Sequence, residues 1–193
     1  MIILASASAV RAKVLEDAGV GFEVEVSRVD EGAVKAELAG ATAHELAGAL
    51  AARKALEVAG RRDGVVIGAD QTLEFDGRAY DKANGMEQTR ARLLAFRGRS
   101  FALHAGVALA RGDTVLWTTT QTSTLQVRDF GEAWLDSYLK RNAGALAFSL
   151  AGFEMEGEGP QLFDAVEGDY FAILGLPLLP LLGALRQAKA LEA

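Results

Sequence analysis

The chain opens on an unbroken apolar run, Ile2-Ile3-Leu4-Ala5, and then changes to small polar residues followed by apolar positions at helical spacing. Such a run reads as a buried strand, and Val10, Val14, Leu15 and Ala18 form one stripe of the helix after it. Ser8 stands where that helix needs its N-cap, and Gly19 supplies its stop. Phe22, Val24 and Val26 alternate with Glu23 and Glu25, the period of a half-exposed strand, and Asp30 and Glu31 come just after it. Thr42 and Glu45 have capping-box spacing ahead of a helix that carries Leu46, Leu50 and Leu56 and ends near Gly60. Val65-Val66-Ile67-Gly68-Ala69 then predicts an interior strand with Asp70 at its carboxyl end.

The second half continues the mixture. Asp76-Gly77 marks a turn, and a helix is expected over residues 84–96 with Asn84 and Glu87 as its start signal. Phe101, Leu103, Ala105, Val107 and Leu109 alternate as in a strand. Arg111-Gly112-Asp113 suits a hairpin turn into a second long strand over 114–127, whose threonines favour extended chain. Asp129 and Glu132 precede a helix bearing Trp134, Leu135, Tyr138 and Leu139. Gly-rich chain with short strands fills 151–171, and Pro177 opens a last helix with Leu178, Leu181, Leu182 and Leu185 inward. The pattern predicts the α/β class, as one domain over residues 1–193 with a mixed, partly antiparallel sheet. Ligands in such folds favour the carboxyl ends of strands, which directs attention to the segment after Ala5 and to Asp70.

Composition narrows the function classes. Half of the 193 residues are hydrophobic, enough for one sizeable core shared by at most two lobes. The formal net charge of -6 argues against a broad grip on nucleic acid, which needs a basic face, but leaves room for a small phosphate site. The chain has no cysteine, so it has neither a disulfide framework nor a thiolate zinc site, which is compatible with the cytoplasm. The apolar run before Arg11 is too short for a secretory signal. The late apolar stretch 171–185 is too short, and too interrupted by Gly175, Pro177, Pro180 and Gly183, for a membrane span.

Three sets of residues could carry chemistry. Ser6 and Ser8, with Arg11 and Lys13, lie where a strand enters a helix, a place that favours anions; Ser8 alone suits a cap equally well. Glu31 and Asp70 are hard oxygen ligands for magnesium or manganese, or a base for water; as isolated loop acids they would be unremarked. Lys54 and Lys82 could neutralise charge on a leaving phosphate group, although any single lysine is more often a solvated one. His44 and His104 lack metal-ligand spacing and read as a helix-surface and a strand residue. There is no GxxxxGK[ST], GxGxxG or GxSxG.

Taken together these segments resemble the Maf family. The opening LASASAVRAKVLEDAGVGFEV is similar to the family's LASxSxxR start. VDE at 29–31, AARKA at 51–55, IGADQ ending at Gln71, DGRAYDKA with Lys82, and GDYFAILGLPLLPLL at 168–182 follow in the family's order. The resemblance implies an ITPase-like fold with two lobes around a cleft, a cytoplasmic homodimer, and a metal-dependent hydrolase that cuts nucleoside triphosphates between the α- and β-phosphates. It implies Asp70 as base, Glu31, Lys54 and Lys82 as further catalytic residues, Glu31 and Asp70 on a Mg2+ or Mn2+ ion, and Ser6, Ser8, Val10 and Arg11 at the substrate. Gln71 and Glu156 resemble the members that act on 7-methyl-GTP, and a carboxylate at 156 could accept from the guanine N1–H and amine. Several positions depart from the family pattern. Ala9 replaces a Pro, Val10 an aromatic residue and Ala12 a second Arg, while Asp81 and Ala83 flank Lys82 in place of Gly and Pro. The expected substrates are modified or non-canonical triphosphates, with neither nucleic-acid polymer nor membrane as partner. The alternative reading is a weakly active nucleotide-binding regulator, since the family has been linked to septum formation.

Overall fold

β1 (Ile2–Ala5) is buried at every position because it has a parallel strand on each side: Ile3 is paired with Glu23 of β2 (Glu23–Val24) and with Val66 of β3 (Val65–Phe75). A strand covered on both faces is apolar throughout rather than alternating. The computed structural model describes residues 1–146 and 149–192. Within them the sheet has seven strands in the order β2-β1-β3-β5-β6-β7, with β4 (Arg78–Tyr80) also paired to β3. Here β5 is Ser100–Arg111, β6 is Thr114–Val127 and β7 is Phe163–Glu167. The mixed α/β class with helices flanking the sheet stands as expected.

The chain divides into two compact units, and β3, β5 and β6 each contribute to both. The first comprises Met1–Gln71, His104–Thr122 and Asp169–Ala193. It carries α1 (Ala9–Asp17), α2 (Glu31–Glu37), α3 (Ala43–Ala59), α6 (Tyr170–Ile173) and α7 (Leu178–Gln187). The pleat sorts its core: Ile2, Leu4 and Ile67 join Leu15, Leu181 and Leu185 in one cluster, while Ile3, Ala5 and Val66 join Ala51, Ala55 and Val58 of α3 in another. Glycine sets how near α3 comes to the strands. A Cβ on Gly68 would lie 2.1 Å from the Ala51 carbonyl oxygen, and one on Gly106 2.3 Å from that of Ala47. At those two points the helix leaves no room for a side chain below it.

The second unit, Thr72–Leu103 with Ser123–Gly168, holds α4 (Met86–Phe96), α5 (Glu132–Leu146) and a short 3-10 helix (Gly159–Leu162). Its core is aromatic: the Phe96 ring lies 4.7 Å from Phe75 and 4.8 Å from Phe101, and Phe153 lies 4.9 Å from Phe163, centroid to centroid. Asp76 and Gly77, both at positive φ, close the β3–β4 hairpin.

Four local expectations change. The strand ending at Val26 shrinks to Glu23–Val24, and Val24 and Val26 stay exposed, since alternation without a second partner strand does not hold extended pairing. Asp30 and Glu31 do not trail a strand: Asp30 caps α2, accepting from the Ala33 amide at 3.0 Å, and Glu31 is its first residue. β3 runs five residues past Asp70, so Asp70 is interior to the strand. Helix α4 starts at Met86 with Gly85, which has no side chain to cap with, at its N-cap; the backbone N–H of Asn84 donates to Gln88.

Candidate active site

Two placements bring Lys54 and Asp70 together. The capping box at Thr42 and Glu45 fixes where α3 begins, and Ala47, Leu50, Ala51, Ala55 and Val58 make its buried face. Lys54 follows Ala51 by three residues and so shares that face. On β3, residues 66, 68 and 70 point the same way, and Gly68 lets the α3 backbone approach at Ala51. The next residue on that face, Asp70, meets the next turn of the helix. Lys54 Nζ lies 2.6 Å from Asp70 Oδ1, with the two side chains only 13% and 11% exposed.

Glu31 closes the cluster from the first turn of α2. Its Oε1 is 2.6 Å from the same Nζ, and its side chain is 48% exposed. Acids set apart in sequence are thus gathered on a single ammonium, one sunk in the sheet and the other facing water. The cation compensates the charge of the buried carboxylate, which would otherwise be costly to hold out of water.

The strand-to-helix segment lies beside this cluster. Ser8 is the N-cap of α1, accepting from the Arg11 amide at 3.4 Å, and Val10 is half-buried in the first turn. Ser6 is buried; its Oγ accepts from the Ser8 amide at 3.2 Å and from Arg11 Nη1 at 3.2 Å. A hydroxyl accepting two bonds still has its own proton to donate. Arg11 also donates from Nη1 to the Ala69 carbonyl at 3.0 Å and from Nε to the Gly175 carbonyl at 2.8 Å. Burial lowers the pKa of the Arg11 guanidinium from its ordinary value, while the Asp70 and Glu31 carboxylates act to raise it. Gln71 turns its amide nitrogen to the carbonyls of Ala172 and Ile173, at 3.1 and 3.0 Å.

Ser6, Ser8, Val10, Arg11, Glu31, Lys54, Asp70 and Gln71 thus all belong to the first unit. Lys82 and Glu156 belong to the second, each exposed, with Lys82 in the loop between β4 and α4 and Glu156 before the 3-10 helix. The reading of His44 as exposed on α3 and His104 as a strand residue holds; His104 Nδ1 lies 2.9 Å from Thr122 Oγ1. Sequence reasoning missed α2, although an Asp three residues ahead of a free amide is a cap signal that could have revealed it. It also missed the backbone carbonyls of Ala69, Ala172, Ile173 and Gly175, which no side-chain motif encodes.

Two carboxylates converging on one point are the hard oxygen donors that magnesium or manganese takes. Among the described residues no group of three or more His, Cys, Asp and Glu could hold a metal ion. That donor set suits an ion that keeps water and phosphate oxygens in most of its positions, as magnesium does. Among the described residues no helix is long and apolar enough to cross a membrane.

Comparison with known proteins agrees along the full length. The chain is 48% identical to a protein of Caulobacter vibrioides named nucleoside triphosphate pyrophosphatase, over 98% of this chain and 96% of that one. It is 49% identical to a protein of the same name from Granulibacter bethesdensis, over 98% of each. A protein of Rhizobium meliloti named 7-methyl-GTP pyrophosphatase is 39% identical, over 100% of this chain and 98% of the relative. The family model described as Maf-like protein matches residues 1–188, and this chain belongs to that family.

Proposed function

We propose that this chain is a nucleoside triphosphate pyrophosphatase, which hydrolyses the α–β phosphate bond to release nucleoside monophosphate and pyrophosphate. The observation that carries this reading is the Lys54 ammonium held between Glu31 and Asp70 beside the Ser6–Arg11 strand-to-helix turn. The names of relatives matched over nearly their whole length support it.

In this reading Glu31 and Asp70 would hold a magnesium or manganese ion, which supplies Lewis-acid stabilisation of charge on the phosphates and lowers the pKa of bound water. Asp70, fixed in the interior of β3, orients the attacking water and takes its proton. The Lys54 ammonium and the Arg11 guanidinium supply positive charge where the phosphates develop negative charge. The start of α1 offers backbone N–H groups and the Ser6 and Ser8 hydroxyls to phosphate oxygens. The resemblance implies a further cation at Lys82 and a guanine-reading carboxylate at Glu156, both in the second unit. Modified triphosphates such as 7-methyl-GTP are the proposed substrates, on the support of Gln71, Glu156 and the 39% identical relative of that name.

The test is to incubate the pure protein with magnesium or manganese and a panel of normal and modified nucleoside triphosphates and to measure pyrophosphate. Asp70→Asn is expected to lower release about 100- to 10,000-fold. Undiminished release by that variant removes Asp70 from catalysis. A second reading draws on Lys54, whose ion pairs engage both acids: a nucleotide-binding regulator in which the acids stay on the lysine. It requires calorimetric nucleotide binding without turnover on any member of the panel.

A further inference from the structure

Ala69, Asp70 and Gln71 are consecutive on β3, so the side chain of Asp70 faces α3 while Gln71 faces the opposite side of the sheet. On that opposite side both neighbours of Asp70 are fastened to the same short segment of chain. Gln71 donates both amide protons to the carbonyls of Ala172 and Ile173 at the end of α6. Arg11 donates to the carbonyl of Ala69 and, through Nε, to the carbonyl of Gly175. The Ala172 carbonyl also accepts the Gly175 amide at 2.9 Å in the turn that ends α6, so the Gln71 amide adds a side-chain bond to a backbone turn already closed. Gly175 is at φ +88°, and a Cβ there would stand 3.3 Å from Arg11 Nε and 3.6 Å from the Gln71 Cδ. Both side chains therefore lie against Gly175, whose positive φ favours glycine.

We propose that Arg11 and Gln71 are positioning residues for Asp70: with residues 172–175 they bracket the strand on either side of the acid and set the direction of its carboxylate. This rests on the pyrophosphatase reading for what Asp70 does, and on hydrogen bonds alone for how it is held. It departs from the role the resemblance implies for Gln71, because an amide nitrogen with both protons on backbone carbonyls has none to offer a nucleobase. Arg11 likewise places three of its five N–H donors on Ser6, Ala69 and Gly175. Misplacing a reacting group by a fraction of an ångström reduces turnover without changing ground-state affinity.

The experiment uses Gln71→Leu and Gln71→Glu in the full chain. Gln71→Leu is expected to lower kcat roughly 10- to 100-fold on every triphosphate hydrolysed, with KM changed less than about threefold. Gln71→Glu opposes two carbonyls with a carboxylate and is expected to lose more at neutral pH. Its kcat relative to wild type should then rise as pH falls, because the protonated acid can donate one bond; a simple packing defect would not move that ratio with pH. Amide hydrogen exchange at residues 172–176 is expected to quicken in Gln71→Leu, and this arm needs no activity. Should Gln71→Leu fail to fold, Gln71→Asn, one methylene too short to reach, gives the same readouts. Unchanged kcat and exchange overturn the bracket, as does a KM rise confined to one base. If the wild-type protein releases pyrophosphate from no triphosphate, the pyrophosphatase reading fails, and hydrogen exchange still decides the bracket.

Discussion

Lys54 Nζ sits 2.6 Å from Asp70 Oδ1, and both side chains are almost wholly withdrawn from water. Removing one partner of such a pair strands the other's charge, at a cost of about 3–5 kcal/mol. Lys54→Met is therefore expected to destabilise the protein on that scale in urea denaturation. Adding Asp70→Asn to it should restore most of the loss. A double variant no more stable than the single one would show that the pair is not coupled.

Glu31 meets the same ammonium from a half-exposed position, and surface ion pairs contribute about 0–1 kcal/mol. Glu31→Gln should leave the urea midpoint nearly unchanged. If Glu31 is a metal ligand, the magnesium concentration for half-maximal activity should rise roughly 10- to 100-fold. An unaltered metal titration would take Glu31 off the ion.

Gly68 is where α3 comes nearest to β3. A methyl group there would lie 2.1 Å from the Ala51 carbonyl oxygen and 2.6 Å from the Ala55 nitrogen, so the helix must move off the sheet. Gly68→Ala is expected to lower stability by about 1–3 kcal/mol or more and, by shifting Lys54, to lower activity as well. Gly21, with nothing within 4 Å of its added Cβ, is the control: Gly21→Ala should change the melting temperature little.

Away from the site, Arg61 hydrogen-bonds to Glu25 and Glu57 and holds both carboxyls below the ordinary value of 4.5, with Arg62 assisting at Glu25. A carboxyl whose folded pKa is depressed contributes stability above its unfolded pKa and loses it as pH falls through the folded one. Thermal melts of Arg61→Ala should fall below wild type at neutral pH. The two should converge on acidification below about pH 4.5. A constant gap across that range would assign the effect of Arg61 to packing.

Local rules read much of this chain correctly because they act over a few residues. The capping box at Thr42 and Glu45, the Ser8 cap, the Asp76-Gly77 turn and the apolar run of β1 all form as their sequences indicate. The same rules stopped β3 at Asp70, because an acid usually ends a buried strand. The strand continues because Lys54, sixteen residues earlier in the chain, compensates the charge there, and residues 73–75 then pair with β4. Helix α2 escaped notice because its seven residues bury Val34 alone, too little for a periodic signal.

The residues of the site were legible one by one; their roles were not. Glu31, Lys54 and Asp70 stood out by type and by order along the chain. Nothing in their spacing said that the Lys54 ammonium would join both acids, since that depends on how closely Gly68 lets α3 approach β3. Gln71 read as a substrate-side mark of the 7-methyl-GTP members, yet its amide meets carbonyls about a hundred residues later.

What the sequence determined by itself was the supply of parts: helices and strands in order, and the acids and cations on them. Periodicity, caps and turns act between near neighbours and need no fold to operate. Only the tertiary structure decided which charges share a contact and which donors are consumed by backbone carbonyls. Those contacts join distant segments, and their energy depends on burial and on fractions of an ångström that exist only once the layers have packed.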